Sequence, residues 1–244
     1  MAQRSKIAAI RRRVKGPRSH GVGQGGHGRV QARPRLLAEA VANAIVERTA
    51  RGYFQPGQRL IETEVARELG VSRLPLREAL KSLESQGIVA STPHRGTRLM
   101  DVDETKVQKV LDVRVQLELL AMRTALPVFH GDPASLKPLD RVLREMERAA
   151  FKGDRFAVAT ADVRFHREIC IASGNEVLAK LWDALSRHLA IVFGMPSLSE
   201  ASLQRYYRSH LELRKVIAKG DLATVQAALE RHIQVGWRSP SGAT

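Results

Sequence analysis

The sequence predicts a mainly α protein in two parts: a small helical unit closed by a β-hairpin, then an all-α bundle of about six helices. Three observations carry this. Residues 36–87 hold three short runs with apolar residues at helical spacing, followed by two β-like stretches around a Pro-His-Arg-Gly turn. From Asp103 onward no strand signal recurs, and the chain is punctuated only by Gly and Pro. Aromatic residues make up 5% against 43% apolar, so Ala and Leu carry the core, as helices favour.

The first helix is amphipathic: Leu37, Val41, Ala44, Ile45 and Arg48 share one face across Leu36–Gly52. Pro56-Gly57 marks a turn, Glu62–Leu69 a short helix, and Gly70 its stop. Ser72 suits the N-cap of the next helix. Pro75 falls in the first turn of that helix, where its missing N–H costs no intrahelical bond. Leu76, Ala79, Leu80 and Leu83 form the apolar stripe, and Gly87 ends it. Ile88–Thr92 and Arg98–Met100 then read as the two strands of a hairpin. Helix, turn, helix, turn, helix and hairpin together describe a winged helix-turn-helix over residues 34–102, whose last helix enters the major groove. Residues 103–238 form the bundle, with Pro127, Gly131-Asp132-Pro133, Gly153-Asp154, Gly174-Asn175, Pro196 and Gly220-Asp221 as breaks. In the Gly-Asp and Gly-Asn pairs a helix-ending glycine is followed by the next N-cap.

Charge has to be read by position. The net charge is +15, yet residues 1–35 contain ten Lys/Arg and no acid, leaving +5 for the other 209 residues. Residues 1–33 are Arg-, Gly- and Ser-rich with almost nothing to bury and are expected to be a disordered basic tail, as are residues 239–244 at the C-terminus. The tail reads either as an arm attracting phosphate or as an extension without function. The single cysteine, Cys170, excludes an intramolecular disulfide and fits a reducing cytoplasm. No apolar run approaches the roughly 20 residues of a membrane helix. A cytoplasmic protein is expected.

Candidate DNA-contacting residues lie on the helix after Ser72 and on the hairpin. Ser72 and Arg73 stand at the helix N-terminus, where side chains reach base edges, and Arg77 and Lys81 continue at one-turn intervals. Arginine can bond guanine O6 and N7 together. The hairpin offers His94, Arg95 and Arg98, and Gly96 would let backbone approach a phosphate or the minor groove.

A second constellation lies in the bundle. Asp162 and His166 are four residues apart on one helix face, with His210 and His232 on two later helices. A carboxylate and three imidazoles converging inside a bundle would suit a divalent transition metal. Cys170 lies one further turn along that face, while His130 and His188 read as ordinary core or surface histidines.

The run Pro56-Gly57-Gln58-Arg59-Leu60, Leu69-Gly70-Val71-Ser72-Arg73-Leu74-Pro75-Leu76-Arg77-Glu78-Ala79-Leu80 and Leu83 to Gly87 resembles the DNA-binding domain of the GntR family, with Leu76 in place of the usual Val. The resemblance implies base contacts from Arg73 and Arg77. A third basic contact of the family would fall near Thr63, where this chain departs from the pattern. Asp162-Val163-Arg164-Phe165-His166, Ser173-Gly174-Asn175, and His210 through Ile217-Ala218-Lys219-Gly220-Asp221 to His232 resemble the FCD subgroup, as does Arg114 with Leu117-Glu118. This second resemblance implies a homodimer on a near-palindromic operator. It also implies a metal held by Asp162, His166, His210 and His232, with zinc foremost and nickel or manganese as alternatives. A small organic acid would bind beside it with Arg114 and Asn175.

Two other functions fit less well. A metal-dependent hydrolase needs a base beside the metal water, but Glu168 and Glu212 each lie two residues from a ligand histidine and no His-Glu-x-x-His run occurs. A non-specific basic DNA-binding protein accounts for the tail and leaves the helical domain idle. A ligand-responsive DNA-binding regulator that is no enzyme, with repression as its expected mode, accounts for both parts.

Overall fold

The computed structural model describes residues 27–92, 96–194 and 200–236. It divides into two compact units, one running to Thr49 and over Tyr53–Asp101, the other taking Ala50–Gly52 and everything from Val102. The tail read at residues 1–26, the hairpin-tip residues His94 and Arg95, Pro196 and residues 239–244 lie outside the described residues.

In the first unit α1 (His27–Ala50) opens ahead of the expected Leu36, so residues 27–33 belong to a helix and not to a tail. Arg29, Gln31, Ala32 and Arg33 are good helix formers, and the helix passes Pro34 with the loss of one backbone bond. α2 (Glu62–Leu69) ends at Gly70, whose left-handed φ of 67° lets its N–H reach the carbonyls of Ala66 and Arg67. α3 (Arg73–Ser85) buries Leu76, Ala79 and Leu83 completely against this unit's core, which Val41, Ala42, Ile45 and Ile88 share. Ser72 has the extended backbone of an N-cap, but its hydroxyl makes no capping bond.

The wing has three strands where the sequence predicted two. β1 (Arg59–Leu60), β2 (Val89–Thr92) and β3 (Gly96–Leu99) form an antiparallel sheet in the order β1-β3-β2. Arg59 lies opposite Arg98 and Leu60 opposite Thr97, while Val89 pairs with Leu99 across the hairpin. A two-residue strand is too short to show alternation, so β1 leaves no periodic trace in the sequence.

Among the described residues the second unit is all α, with six α-helices: α4 (Glu104–Gly131), α5 (Lys137–Phe151), α6 (Arg155–Ala172), α7 (Glu176–Gly194), α8 (Glu200–Lys219) and α9 (Leu222–Gly236). A 3-10 turn, Pro133–Leu136, joins α4 to α5. Two acidic caps stand where the sequence put them: Asp154 accepts from Ala157 N at 3.0 Å and Asp221 from Thr224 N at 2.8 Å. Asp103 caps α4 as well, accepting from Lys106 N at 2.7 Å. Gly220 serves differently from a left-handed cap: a Cβ there would stand 2.9 Å from the Val216 carbonyl oxygen and 3.1 Å from Val225, so close packing demands glycine. Pro127 does not break α4, because it lies within the last turns and removes a single backbone bond. Met122, Met146, Phe165, Ile169, Trp182, Ile217 and Leu229 are wholly buried at the bundle centre.

Leu76 has no solvent exposure, so Leu76→Ala is expected to lower stability by about 2–5 kcal/mol. Urea unfolding should show an earlier midpoint at unchanged slope. Leu74→Ala, at a residue 68% exposed, should stay within about 0.5 kcal/mol.

Candidate functional site

The apolar stripe of α3 faces the core, which turns Arg73, Arg77 and Lys81 outward at one-turn intervals. Their surroundings differ. Arg77 donates from Nε to Glu62 Oε2 at 2.9 Å, from the start of α2, and its side chain stays 61% exposed. Lys81 stands 3.8 Å from Glu78 on its own helix, and Arg73 has no ion pair among the described residues. Exposed pairs of this kind add little stability.

On the wing, Arg98 donates to the Gly57 carbonyl at 3.1 Å. Gly96 has φ 77°, and a Cβ on it would meet Arg59 Nε at 3.0 Å, so backbone conformation and the Arg59 side chain require glycine there. Arg59 itself was not read as functional from the sequence. Only the β1–β3 pairing brings it opposite Arg98, and two like charges in that relation repel unless an anion lies between them.

In the helical unit four helices converge on Asp162. α6 supplies Asp162 and His166, α8 supplies Tyr206 and His210, α9 supplies His232, and α4 supplies Arg114 and Glu118. The ligand atoms of Asp162, His166, His210 and His232 all lie within 4.8 Å of one another, with the first three buried. Asp162 Oδ1 accepts from Tyr206 Oη at 2.8 Å and from Arg114 Nη2 at 3.2 Å, while its Oδ2 is buried without a partner. Arg114 also donates from Nε to Glu118 Oε1 at 2.9 Å, and the other Glu118 oxygen bonds His166 Nδ1.

The histidine bonds test whether a metal fits. His210 Nδ1 lies 2.9 Å from the Tyr206 carbonyl oxygen, which can only accept, so the proton sits on Nδ1. In a neutral ring Nε2 then turns a lone pair toward Asp162 Oδ1, 2.8 Å away. His166 is fixed the same way by Glu118, and its buried Nε2 has no hydrogen-bond partner. Lone pairs on Asp162 and two imidazoles thus face a common point, which a cation satisfies and a neutral atom does not. A carboxylate gripping the far nitrogen of a ligand histidine is also the usual support of a metal site.

Electrostatics agree. Burial, then Arg114, holds His166 well below the ordinary imidazole range, and burial, then His210 and His166, does so for His232. Both rings are therefore neutral, as a metal ligand must be. Burial alone would raise Asp162, but the Arg114 guanidinium beside it holds it well below the usual carboxylate range. Burial pushes Glu118 up to about 7 against the pull of Arg114.

Not every expected residue joins this cluster. Asn175 is exposed, and its carboxamide oxygen accepts from Val177 N and Leu178 N, both at 3.1 Å, so it caps α7 and has no part in the cluster. Arg114 is present, already committed to two carboxylates. Cys170 is buried, and burial, then Glu118, raises its thiol above the ordinary range. His130 bonds the Ile217 carbonyl at 3.0 Å. Tyr206 and the orienting role of Glu118 were not foreseen. Tyr206 stands one helical turn before His210, the only signal the sequence holds for it.

The FCD domain model matches residues 109–235, and that of the bacterial regulatory proteins of the gntR family matches residues 37–99. The chain belongs to the GntR family, in its FCD subgroup. GntR proteins are DNA-binding transcriptional regulators and not enzymes, which removes the ground for a hydrolase. The chain is 29% identical over 197 residues to a protein of Paenarthrobacter nicotinovorans named a probable D-xylose utilization operon transcriptional repressor, spanning 81% of this chain and 85% of that one. Its fold resembles E. coli McbR/YncC, with a TM-score of 0.69, 24% identity and coverage of 81% and 93% of the two chains. It also resembles a GntR transcriptional regulator from Rhodococcus sp. RHA1, with a TM-score of 0.70, 22% identity and coverage of 87% and 99%. Among the described residues, no helix is long and apolar enough to cross a membrane.

Arg114, 1% exposed, is the sole cation against two buried carboxylates in this cluster, so Arg114→Leu is expected to destabilise the metal-free protein by about 3–5 kcal/mol. The exposed pair Arg164–Glu145 gives the contrast: Arg164→Leu should cost at most about 1 kcal/mol in the same chemical unfolding experiment.

Proposed function

We propose that this GntR regulator is a cytoplasmic, dimeric repressor whose hold on a near-palindromic operator is set by a small organic acid bound at a metal in its helical unit. The observation that carries this reading is the cluster of lone pairs around Asp162, in a chain that also displays Arg73 and Arg77 on a helix built for the major groove. Asp162, His166, His210 and His232 would hold the ion. Three nitrogens and one oxygen suit zinc first, with nickel or manganese also able to occupy such a set. When bound, the ion supplies a Lewis-acidic positive centre for a carboxylate. Arg114 adds fixed positive charge beside it. The name of the D-xylose operon relative supports repression.

Arg73 and Arg77 would read base edges, helped by Ser72 and Lys81, with Arg98, Arg59 and Gly96 on the wing meeting phosphate or the minor groove. His94 and Arg95 are assigned to the same wing contact from the sequence alone. Dimer formation is supported by exposed apolar side chains on the neighbouring helices α4 and α7: Val113 and Leu120 are each 50% exposed, Val177 67% and Leu181 52%. Their spacings of seven and four residues make a stripe on each helix, and a second copy of the chain would cover both.

Elemental analysis of the purified protein should find one divalent metal per chain, lost in His210→Ala/His232→Ala. A thermal-shift screen of the metal-loaded protein with small carboxylates and sugar acids should yield a stabilising ligand that also releases operator DNA, and neither effect should survive in that double variant. Arg73→Ala should weaken specific binding by about 1–3 kcal/mol per half-site. An unchanged footprint would remove Arg73 from base reading.

A further inference from the structure

Of the three outward basic residues on α3, only Arg77 is held by another element. Its partner Glu62 is the first residue of α2 and comes from the helix that braces α3. We infer that Glu62 is a positioning residue for DNA reading: it grips Arg77 by Nε and so aims the two terminal nitrogens as a fork at guanine. The inference rests on the proposed base-reading role of α3.

The geometry distinguishes this from an incidental surface pair. A guanidinium has two useful edges. Glu62 takes a nitrogen of the side edge, and among the described residues no side chain engages the two terminal nitrogens at the other end. Those nitrogens are the pair that bonds O6 and N7 of guanine together. An unpaired arginine would have to surrender its rotamer freedom at the moment of binding, whereas one tethered through Nε has lost part of it beforehand. The tether is itself anchored, since Glu62 stands in the first turn of α2, where the helix dipole favours a carboxylate.

The arrangement has a cost that stability cannot explain. Glu62 places a negative charge beside the face that meets phosphates, so it weakens attraction to any DNA while improving the choice among sequences. Glu78, adjacent to Arg77 in the chain, lies instead near Lys81 and cannot replace it. The wild-type pairing therefore trades general affinity for discrimination.

The test starts from a duplex pool with randomised centre, selected with the full-length wild-type protein. The selected site is then compared with a version carrying guanine→adenine at each half-site and with a random duplex, using wild type, Glu62→Ala, Glu62→Gln, Arg77→Ala and Arg77→Ala/Glu62→Ala. Glu62→Ala should lower the ratio of selected-site to adenine-site affinity by about tenfold, within the range one bidentate arginine–guanine contact supplies. Its affinity for the random duplex should hold or rise. Glu62→Gln, which keeps an accepting oxygen without the charge, should fall between. In the Arg77→Ala background the Glu62 change should leave the ratio unmoved. A Glu62→Ala protein that discriminates as well as wild type overturns the inference, as does a changed preference that persists without Arg77, which would make Glu62 a direct reader. If wild type enriches no sequence, the base-reading role of α3 fails, and this inference with it.

Discussion

Removing Asp162 from water sets the terms for the whole helical unit. A carboxylate in a dry interior is tolerated only when cations and donors surround it, and here they come from separate helices. Arg114 reaches it from α4 and Tyr206 from α8, and both donate to Oδ1. The helices that deliver these groups cannot shift past one another without leaving a buried charge uncovered. Trp182, itself buried, ties α7 in by donating to the Val163 carbonyl at 3.2 Å, one residue from Asp162. The remaining oxygen, Oδ2, is buried and receives no hydrogen bond from the described residues.

The winged-helix unit divides its labour the other way. Its stability comes from an apolar interior of Val41, Ile45, Leu76 and Leu83, and none of its described charged side chains is buried. Exposed arginines set opposite each other on β1 and β3, and a row of cations on α3, add little to folding. They make sense against a polyanion. The helical unit therefore holds charges in its interior and must satisfy them there, and the winged-helix unit keeps its charges outside its core.

Where the sequence was legible, a local rule governed the outcome. The apolar spacing of α3 and the Asp caps of α6 and α9 depend on residues three or four apart, which are visible in one chain. Asp162 and His166 share a face for the same reason. The rest depended on contacts far apart in sequence. Glu118 meets His166 across 48 residues, so its place in the Arg-x-x-Leu-Glu pattern says nothing about which nitrogen it grips. Tyr206 looks like any core tyrosine until its hydroxyl is seen on Asp162. Asn175 misled because a residue that caps a helix and one that binds a ligand are the same carboxamide in sequence. The early start of α1 was masked by Gly21–Gly28, a stretch that argues against helix, although the helix formers begin just after it.

If a metal and an organic acid act as proposed, the charges around Asp162 give a reason for the metal to bind first. The buried set holds one guanidinium, Arg114, against Asp162 and a Glu118 raised to about 7, so by itself it offers an organic acid little net attraction. A divalent cation would add two positive charges there. An acid would then gain from the metal what Asp162 Oδ2 and His166 Nε2, both without a donor to give, cannot offer it. Whatever free energy the acid gains there can reach DNA only in so far as the acid binds two states of the protein unequally. Such a coupling would be reciprocal, with operator DNA changing acid binding by the same factor. A site whose own atoms remain unsatisfied when empty is suited to such a role, because its occupancy changes the balance of forces on four helices at once.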